Sequence, residues 1–471
     1  MVDELITKSV DELSGLVKSR KVSPVELTDA VIRQTEKCNA AVNAYILQTP
    51  EKARAAAKEA EKEIMAGNYR GTLHGIPMAV KDIFYVKGEV TTMGSRIHKD
   101  FVPDIESTAV SKLRDAGAIF TGKLNMHEYA YGGSNNNPHF GPCHNPWDLA
   151  RIPGGSSGGS GAALAADMTI ASLGTDTAGS VRIPAASCGV VGLKPTHGKV
   201  SKYGVFPLSW SLDHVGPMTK TVKDAALLLE VISGYDEKDP TSVHTDPVAY
   251  SKLLTGSVKN LRIGVNENYY FRDIDSGVEE LVRKAIQAFK GMGAVIVDID
   301  IPELVGAEYV ERVTSAAEAS TIHHDNLRAK AAFGNDVRVM LEFGELIPAV
   351  DYLYAQQLRR SVCAGFNRAF ERVDLLIAPT LAFTAPIIGS RTAQINGKEM
   401  SLMQQSIRLT GPADLTGLPA ISLPCGLSAG LPVGLQLIGP AFKEDVVLNA
   451  AYAFEQTNSM RGRKPDLTRF L

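Results

Sequence analysis

Three features of the 471-residue sequence predict an α/β fold, a large mixed β-sheet core flanked by helices on both faces. From about residue 73 onward, short apolar runs alternate with amphipathic stretches, the pattern of strands exchanging with crossover helices. The composition, 44% hydrophobic and 21% charged, suits a globule with a substantial core. Residues 154–195 (GGSSGGSGAALAADMTIASLGTDTAGSVRIPAASCGVVGLKP) set two serine-bearing loops on either side of a small-residue helix and an apolar run. Such a unit packs tightly against its neighbours because little side-chain bulk holds it away.

The first 70 residues read as an N-terminal helical layer. Ser23-Pro24-Val25-Glu26 is a capping box with proline at the first helical position, so a helix starts there and runs towards Ala40. Pro50 to Ala66, rich in Ala, Glu and Lys, is a second helix with one face in solvent. Residues 71–471 read as one compact α/β core. Ile76–Phe84, Ala118–Gly122, Leu261–Val265, Ala294–Ile299, Leu375–Ala378, Ile421–Pro424 and Gly434–Ile438 are its strands. Thr108–Ala116, Ala225–Ser233, Gly277–Met292, Ala355–Arg372 and Val446–Gln456 are helices between them. The polar, weakly periodic stretches near 240–259 and 303–349 read as peripheral insertions, and no internal repeat marks a solenoid.

The formal net charge is −3 with no long single-sign run, which offers no global nucleic-acid or anionic-membrane surface. MVDELITKSVDEL carries acids where a signal peptide has basic residues, and no apolar run is long enough to span a bilayer. A cytoplasmic protein is the expectation. Five cysteines scattered without C-x-x-C spacing point away from a disulfide framework or a structural zinc site.

Glycine-rich loops let peptide N–H groups approach an anion. A flexible linker is the plainer account of Gly154–Gly161, but a linker does not run straight into apolar helical and strand-like segments. A phosphate-binding P-loop needs a lysine that this stretch lacks. The nucleophile elbow G-x-S-x-G is met around Ser156 and around Ser157, yet Asn145–Pro153 ahead of it is polar and carries two prolines, not a buried strand.

Lys81 interrupts an apolar strand. As an edge-strand or snorkelling lysine it needs no further role; buried, its pKa falls from about 10.4 towards neutrality because burial penalises the charged form, and a neutral amine is a base. A serine hydroxyl, inert until a neighbour takes its proton, is the natural partner. Ser180 ends the loop Gly174-Thr-Asp-Thr-Ala-Gly179, where the amides of Thr177, Ala178, Gly179 and Ser180 are placed to converge on an oxyanion. Taken alone, Ser180 reads more readily as a turn or helix-cap serine. Histidines 127, 197, 214, 323 and 324 offer a rival base for Ser157, but nothing in the sequence fixes one near a serine.

Together these motifs resemble the amidase signature family of Ser-cisSer-Lys hydrolases. Gly154–Gly159 matches its glycine-serine block, Gly174–Arg182 its G-T-D-x-x-G-S-x-R block, Cys188–Thr196 its C-G-x-x-G-L-K-P-T run and Gly75–Asp82 its G-I-P-x-x-x-K-D strand. Gly141–Asp148 and Leu415–Pro440 extend the similarity over most of the chain. The resemblance implies Ser180 as nucleophile, Ser156 as proton relay on a cis peptide and Lys81 as base. It implies an acyl-enzyme, an oxyanion hole at Thr177 to Ser180, supports from Ser157, Asp176 and Arg182, and a substrate site flanked by Tyr131, Gly132 and Ile183. No cofactor and no metal are expected.

One branch of that family, the glutaminase subunit of glutamine-dependent aminoacyl-tRNA amidotransferases, resembles this chain in Asn125–Gly132 and in length. The resemblance puts Arg359 where that branch binds the glutamine carboxylate. Ile407, however, stands where it has an acid for the substrate's amino group, and Ile183 where it usually has glutamine. The expectation is therefore a stand-alone amidase cleaving carboxylic amides, aryl amides, carbamates or urethanes. The alternatives are the glutaminase subunit of a tRNA-dependent amidotransferase and a non-catalytic, amidase-like binding protein. Its expected partner is a small-molecule amide, with no direct nucleic acid contact, no membrane and a homodimer left open.

Overall fold

The computed structural model describes residues 4–329 and 332–470. Ser23 opens the helix Pro24–Val42, its hydroxyl accepting from the amides of Val25 (3.0 Å) and Glu26 (3.4 Å). The helix ends at Asn43, which turns left-handed at φ 52. Pro50–Met65 follows and turns Ala53, Ala57, Ala60 and Ile64 inward, one narrow stripe at helical spacing. Between these helices lies a strand that the sequence does not announce. Tyr45–Gln48 (β1) pairs antiparallel with Ile119–Leu124 and ends the sheet, so the N-terminal residues also carry a sheet edge.

Ten further strands complete the sheet. They are Pro77–Lys81 (β2), Ile119–Leu124 (β3), Ala171–Asp176 (β4), Val191–Lys194 (β5), His214–Thr219 (β6), Arg262–Val265 (β7), Val295–Asp298 (β8), Leu375–Pro379 (β9), Ala420–Ser428 (β10) and Leu431–Ile438 (β11). Their order across the sheet is β1-β3-β2-β4-β6-β5-β10-β11-β9-β7-β8. β2 runs parallel to both β3 and β4, and β7 runs parallel to β8 and β9; the other pairs are antiparallel. The sheet is therefore mixed, with helices over its faces. β5 and β6 have no clear apolar signature, and β6 carries Pro217 opposite Leu173 in mid-sheet, where proline argues against a strand.

The site's position follows from β2 and β4. Met78 lies opposite Ala171 and Val80 opposite Leu173, so the two parallel strands finish side by side, with Lys81 and Asp176 as their last residues. Chain beyond the carboxyl ends of parallel strands forms the usual crevice of an α/β sheet. The helix Gly158–Ala165 packs on these strands with every residue buried, which small side chains permit. The stretch read as an insertion near 303–349 holds two helices, Ala307–Arg328 and Asn335–Gly344, and Ala349–Arg372 packs against the first.

Leu173 is fully buried in β4, one strand residue ahead of the site. Leu173→Ala is expected to cost about 2–5 kcal/mol of stability, read as a lowered urea midpoint.

Candidate active site

Because Lys81 ends β2 beside β4, its chain passes under the first serine loop without reaching solvent; it is fully buried. Its Nζ donates to Ser156 Oγ at 2.7 Å and to Thr175 Oγ1 at 2.8 Å. Burial pushes the Lys81 pKa down to about 7, against the weaker upward pull of Asp213 and then Asp176. Ser156 follows a cis peptide bond from Gly155, and its carbonyl accepts from the His127 amide at 3.0 Å. Thr175 stands in the Gly174–Arg182 block, but the sequence assigns it no role of its own, since a threonine inside a strand carries no signal of its partner.

Ser157, the neighbour most easily confused with Ser156, bonds elsewhere. Its hydroxyl donates to Thr175 O (3.2 Å) and accepts from Thr175 N (3.3 Å), while its amide donates to Ser180 O (3.3 Å). It fastens the first loop to β4 and to the second loop. Position 174 must be glycine for this to happen, since a Cβ there would lie 2.8 Å from Ser157 Oγ.

The second loop is shaped by Asp176. Its carboxylate accepts from the amides of Gly179 (2.6 Å), Val181 (3.1 Å) and Arg182 (3.3 Å) and from the Arg182 guanidinium (3.0 Å from both Nε and Nη2). Arg182 is fully buried, and its remaining donors go to Thr410 O, Gln436 Oε1 and Asp414 Oδ2. Burial drives Asp176 upward, but the Arg182 charge outweighs it and holds the carboxyl at about 2. Burial and then the adjacent Asp176 charge push Asp414 well up, against the pull of Arg182 and Lys194. Thr410 adds a tether, donating to Ala178 O at 2.5 Å. Asp414, Thr410 and Gln436 lie more than two hundred residues along the chain from the loop they hold, beyond the reach of any local pattern.

Ser180, 8% exposed, opens on a cavity of about 340 Å³. Its hydroxyl makes no hydrogen bond among the described residues. Thr177 and Ala178 line the same space. The Gly179 amide does not point there: Asp176 takes it, which leaves Thr177, Ala178 and Ser180 as the free amides of the loop. The walls are mainly apolar, including Tyr131, Ile183, Leu208, Met340, Phe343 and Ile407; Gly132 is also part of them. Met340 and Phe343 come from the stretch expected to be peripheral, which instead closes the cavity. Arg359 stays outside, its guanidinium spent on Leu415 O (2.6 Å) and on the hydroxyl and carbonyl of Ser211 (3.1 and 3.0 Å).

The histidine rings are engaged away from the hydroxyls of Ser156, Ser157 and Ser180. His127 bonds Asp336 and Ser134, His214 meets Lys194, His197 meets Lys202, His324 meets Glu345, and His323 packs among aromatic rings. Joined hydroxyl, amine and free amides are the parts from which acyl transfer is built.

The Lys81 value near 7 has a consequence for stability. An unfolded lysine titrates near 10.4, so between the two values the unfolded chain holds one more proton. This group therefore makes stability rise from about pH 7 to about pH 10 and contributes nothing to the slope outside that window. Lys81→Met is expected to remove that share of the rise, which urea midpoints of both proteins across the range measure.

The chain matches the amidase family model over residues 26–448. It is 41% identical to the A subunit of the glutamyl-tRNA(Gln) amidotransferase of Geobacter metallireducens, with 98% of this chain and 99% of that relative covered. Among solved structures, a vestigial protein complex bearing on the origins of an s-triazine catabolic enzyme superposes with TM-score 0.91 at 33% identity, covering 96% of this chain and 98% of that one. The corresponding glutamyl-tRNA(Gln) amidotransferase chain of Thermotoga maritima does so with TM-score 0.83 at 34% identity, covering 99% and 98%. These relatives correct one expectation. A small-molecule amide as the only partner, with nucleic acid set aside, does not stand beside full-length similarity to components of an enzyme named for a tRNA. In sequence and in fold, then, the chain belongs to the amidase signature family, and it is an amidohydrolase.

Proposed function

We propose that the chain cleaves a carboxylic amide through an acyl-enzyme on Ser180, with Ser156 as proton relay and Lys81 as base. The observation that carries this reading is the 2.7 Å contact between the dry Lys81 amine and Ser156 Oγ. A neutral amine has two N–H donors and one lone pair. One N–H suits Thr175 Oγ1, and the lone pair is then free to take the Ser156 proton. When an amide carbonyl docks, the Ser180 hydroxyl turns onto Ser156; catalytic hydrogen bonds of this kind often close only with substrate bound.

Ser156 passes its proton to Lys81 and receives that of Ser180, whose Oγ forms a bond to the carbonyl carbon. The carbonyl π electrons move onto oxygen, and the amides of Thr177, Ala178 and Ser180 receive that charge. The pair returns as the C–N bond breaks, while the proton travels back through Ser156 to the leaving nitrogen. Water then attacks the acyl-enzyme by the same relay and frees the acid and Ser180.

For the identity of the amide, the full-length relatives favour one reading: the ammonia-releasing component of a tRNA-dependent amidotransferase. A second reading rests on the cavity, whose walls are mainly apolar and from which Arg359 is absent. It makes the acyl group something other than that of glutamine. Ammonia release from glutamine, assayed with and without the other amidotransferase components, separates the two when run beside butyramide, hexanamide and acetanilide. Turnover of glutamine that rises on adding those components supports the first reading. Inert glutamine beside active hexanamide or acetanilide supports the second.

Ser180→Ala is expected to abolish labelling by a fluorophosphonate, and Lys81→Ala to slow it about 10²–10⁴-fold. In the native enzyme kcat/KM should rise with pH through about 7, as Lys81 loses its proton. Labelling of Ser180→Ala at the native rate would overturn the assignment.

A further inference from the structure

Among the described residues, one acidic side chain stands in the wall of the Ser180 cavity, and it makes no ion pair of its own. Glu311, on the helix Ala307–Arg328, is 6% exposed and faces the same space as Tyr131, Ile183 and Ile407. Arg312, next along the helix, also lines the cavity, but it is exposed and its guanidinium pairs with Glu308 at 2.7 Å. Across the cavity the Tyr131 phenol is pushed upward by burial and then by Glu311, so it stays a neutral donor. Ser315, one turn further on, offers Glu311 only a hydroxyl.

A carboxyl in such a place is costly unless something compensates it. Burial raises Glu311 to about 7, with Ser315 and Arg312 lowering it only in part, so a small gain from a bound partner suffices to ionise it. Nothing in the fold requires an acid here. Glu311 fastens no loop and caps no helix, unlike Asp176, whose two oxygens are taken up by the chain, or Asp414, whose Oδ2 accepts from Arg182. Its carboxyl is available to whatever enters the cavity.

We propose that Glu311 reads a protonated amino group carried on the acyl portion of the amide. The inference rests on Ser180 as nucleophile and deepens that reading by naming the substrate class: amides whose acyl chain is apolar near the carbonyl and ends or branches in an amine. Ile407 lines the cavity without a charge, and Glu311 is the acid among the described residues that line it.

Matched substrate pairs test it: 6-aminohexanamide against hexanamide, and 4-aminobutanamide against butyramide, each measured as kcat/KM for ammonia release. The native enzyme is expected to prefer the amino member of at least one pair by about tenfold, the worth of one charge-assisted hydrogen bond. Glu311→Gln, nearly the same shape, should bring that ratio down to about one, and Glu311→Asp, which keeps the charge, should hold it above one. Fluorophosphonate labelling of Ser180 in each variant checks that the fold and the nucleophile survive. A native ratio of one or less, or a ratio that Glu311→Gln leaves unchanged, overturns the inference while the amidase reading stands. Should the native enzyme neither label nor turn over any of the four amides, the reading of Ser180 fails and this inference falls with it.

Discussion

The structure depends on keeping one amine out of water. A lysine surrounded by solvent stays protonated at neutral pH and accepts nothing, whereas the same group under two serine loops loses most of its preference for the charge. Each feature around Lys81 serves that exclusion. β2 and β4 finish side by side, the small-residue helix Gly158–Ala165 packs on them, and the glycine at position 174 lets Ser157 close directly over β4. A valine or leucine at these points would prop the loops apart and admit water.

Dryness also explains why the neighbouring charges are arranged as they are. Asp176 and Asp213 both raise the Lys81 pKa, so fully exposed to it they would restore the proton that burial removes. Asp176 is already engaged with Arg182 and three backbone amides, and Asp213 with the Thr177 hydroxyl at 2.7 Å and the amides of Leu208 and Ser209. Burial raises the Asp213 pKa against the lowering effect of Lys202 and of these hydrogen bonds. The same bonds fix the loop that carries Ser180, so one set of contacts both shapes that loop and leaves the Lys81 amine with less opposing charge.

Much of this was legible in the sequence because it is written locally. Ser23 and Pro24 mark a helix start through one side chain and one fixed φ, and Lys81 stands out as one polar residue in an apolar run. The Gly/Ser block and the Gly174–Arg182 loop carry their glycines at the points where side chains do not fit. What escaped was non-local or locally mixed. β1 is four residues long, and β6 carries a central proline. Thr175, Thr410, Asp414 and Gln436 matter through partners that only folding brings near. The polar stretch near 303–349 looked peripheral because its helices divide their apolar residues between the core and a cavity, which blurs a single stripe.

That division of labour bears on how one fold accommodates differently named relatives. The Lys81 amine, the Ser156 hydroxyl and the Ser180 loop come from residues 75–182, a continuous block held against the sheet centre. The cavity wall facing the acyl group draws on Glu311, Met340, Phe343, Met403 and Ile407, from helices that pack outside that block. On the proposed reading, a substitution at 311 or 407 is expected to change which acyl group is accepted without moving Lys81 or Ser156, because among the described residues no hydrogen bond joins the two sets of side chains. Bond cleavage and substrate choice are physically separable here, so similarity across the first set argues for amide hydrolysis and leaves the amide to be decided by the second.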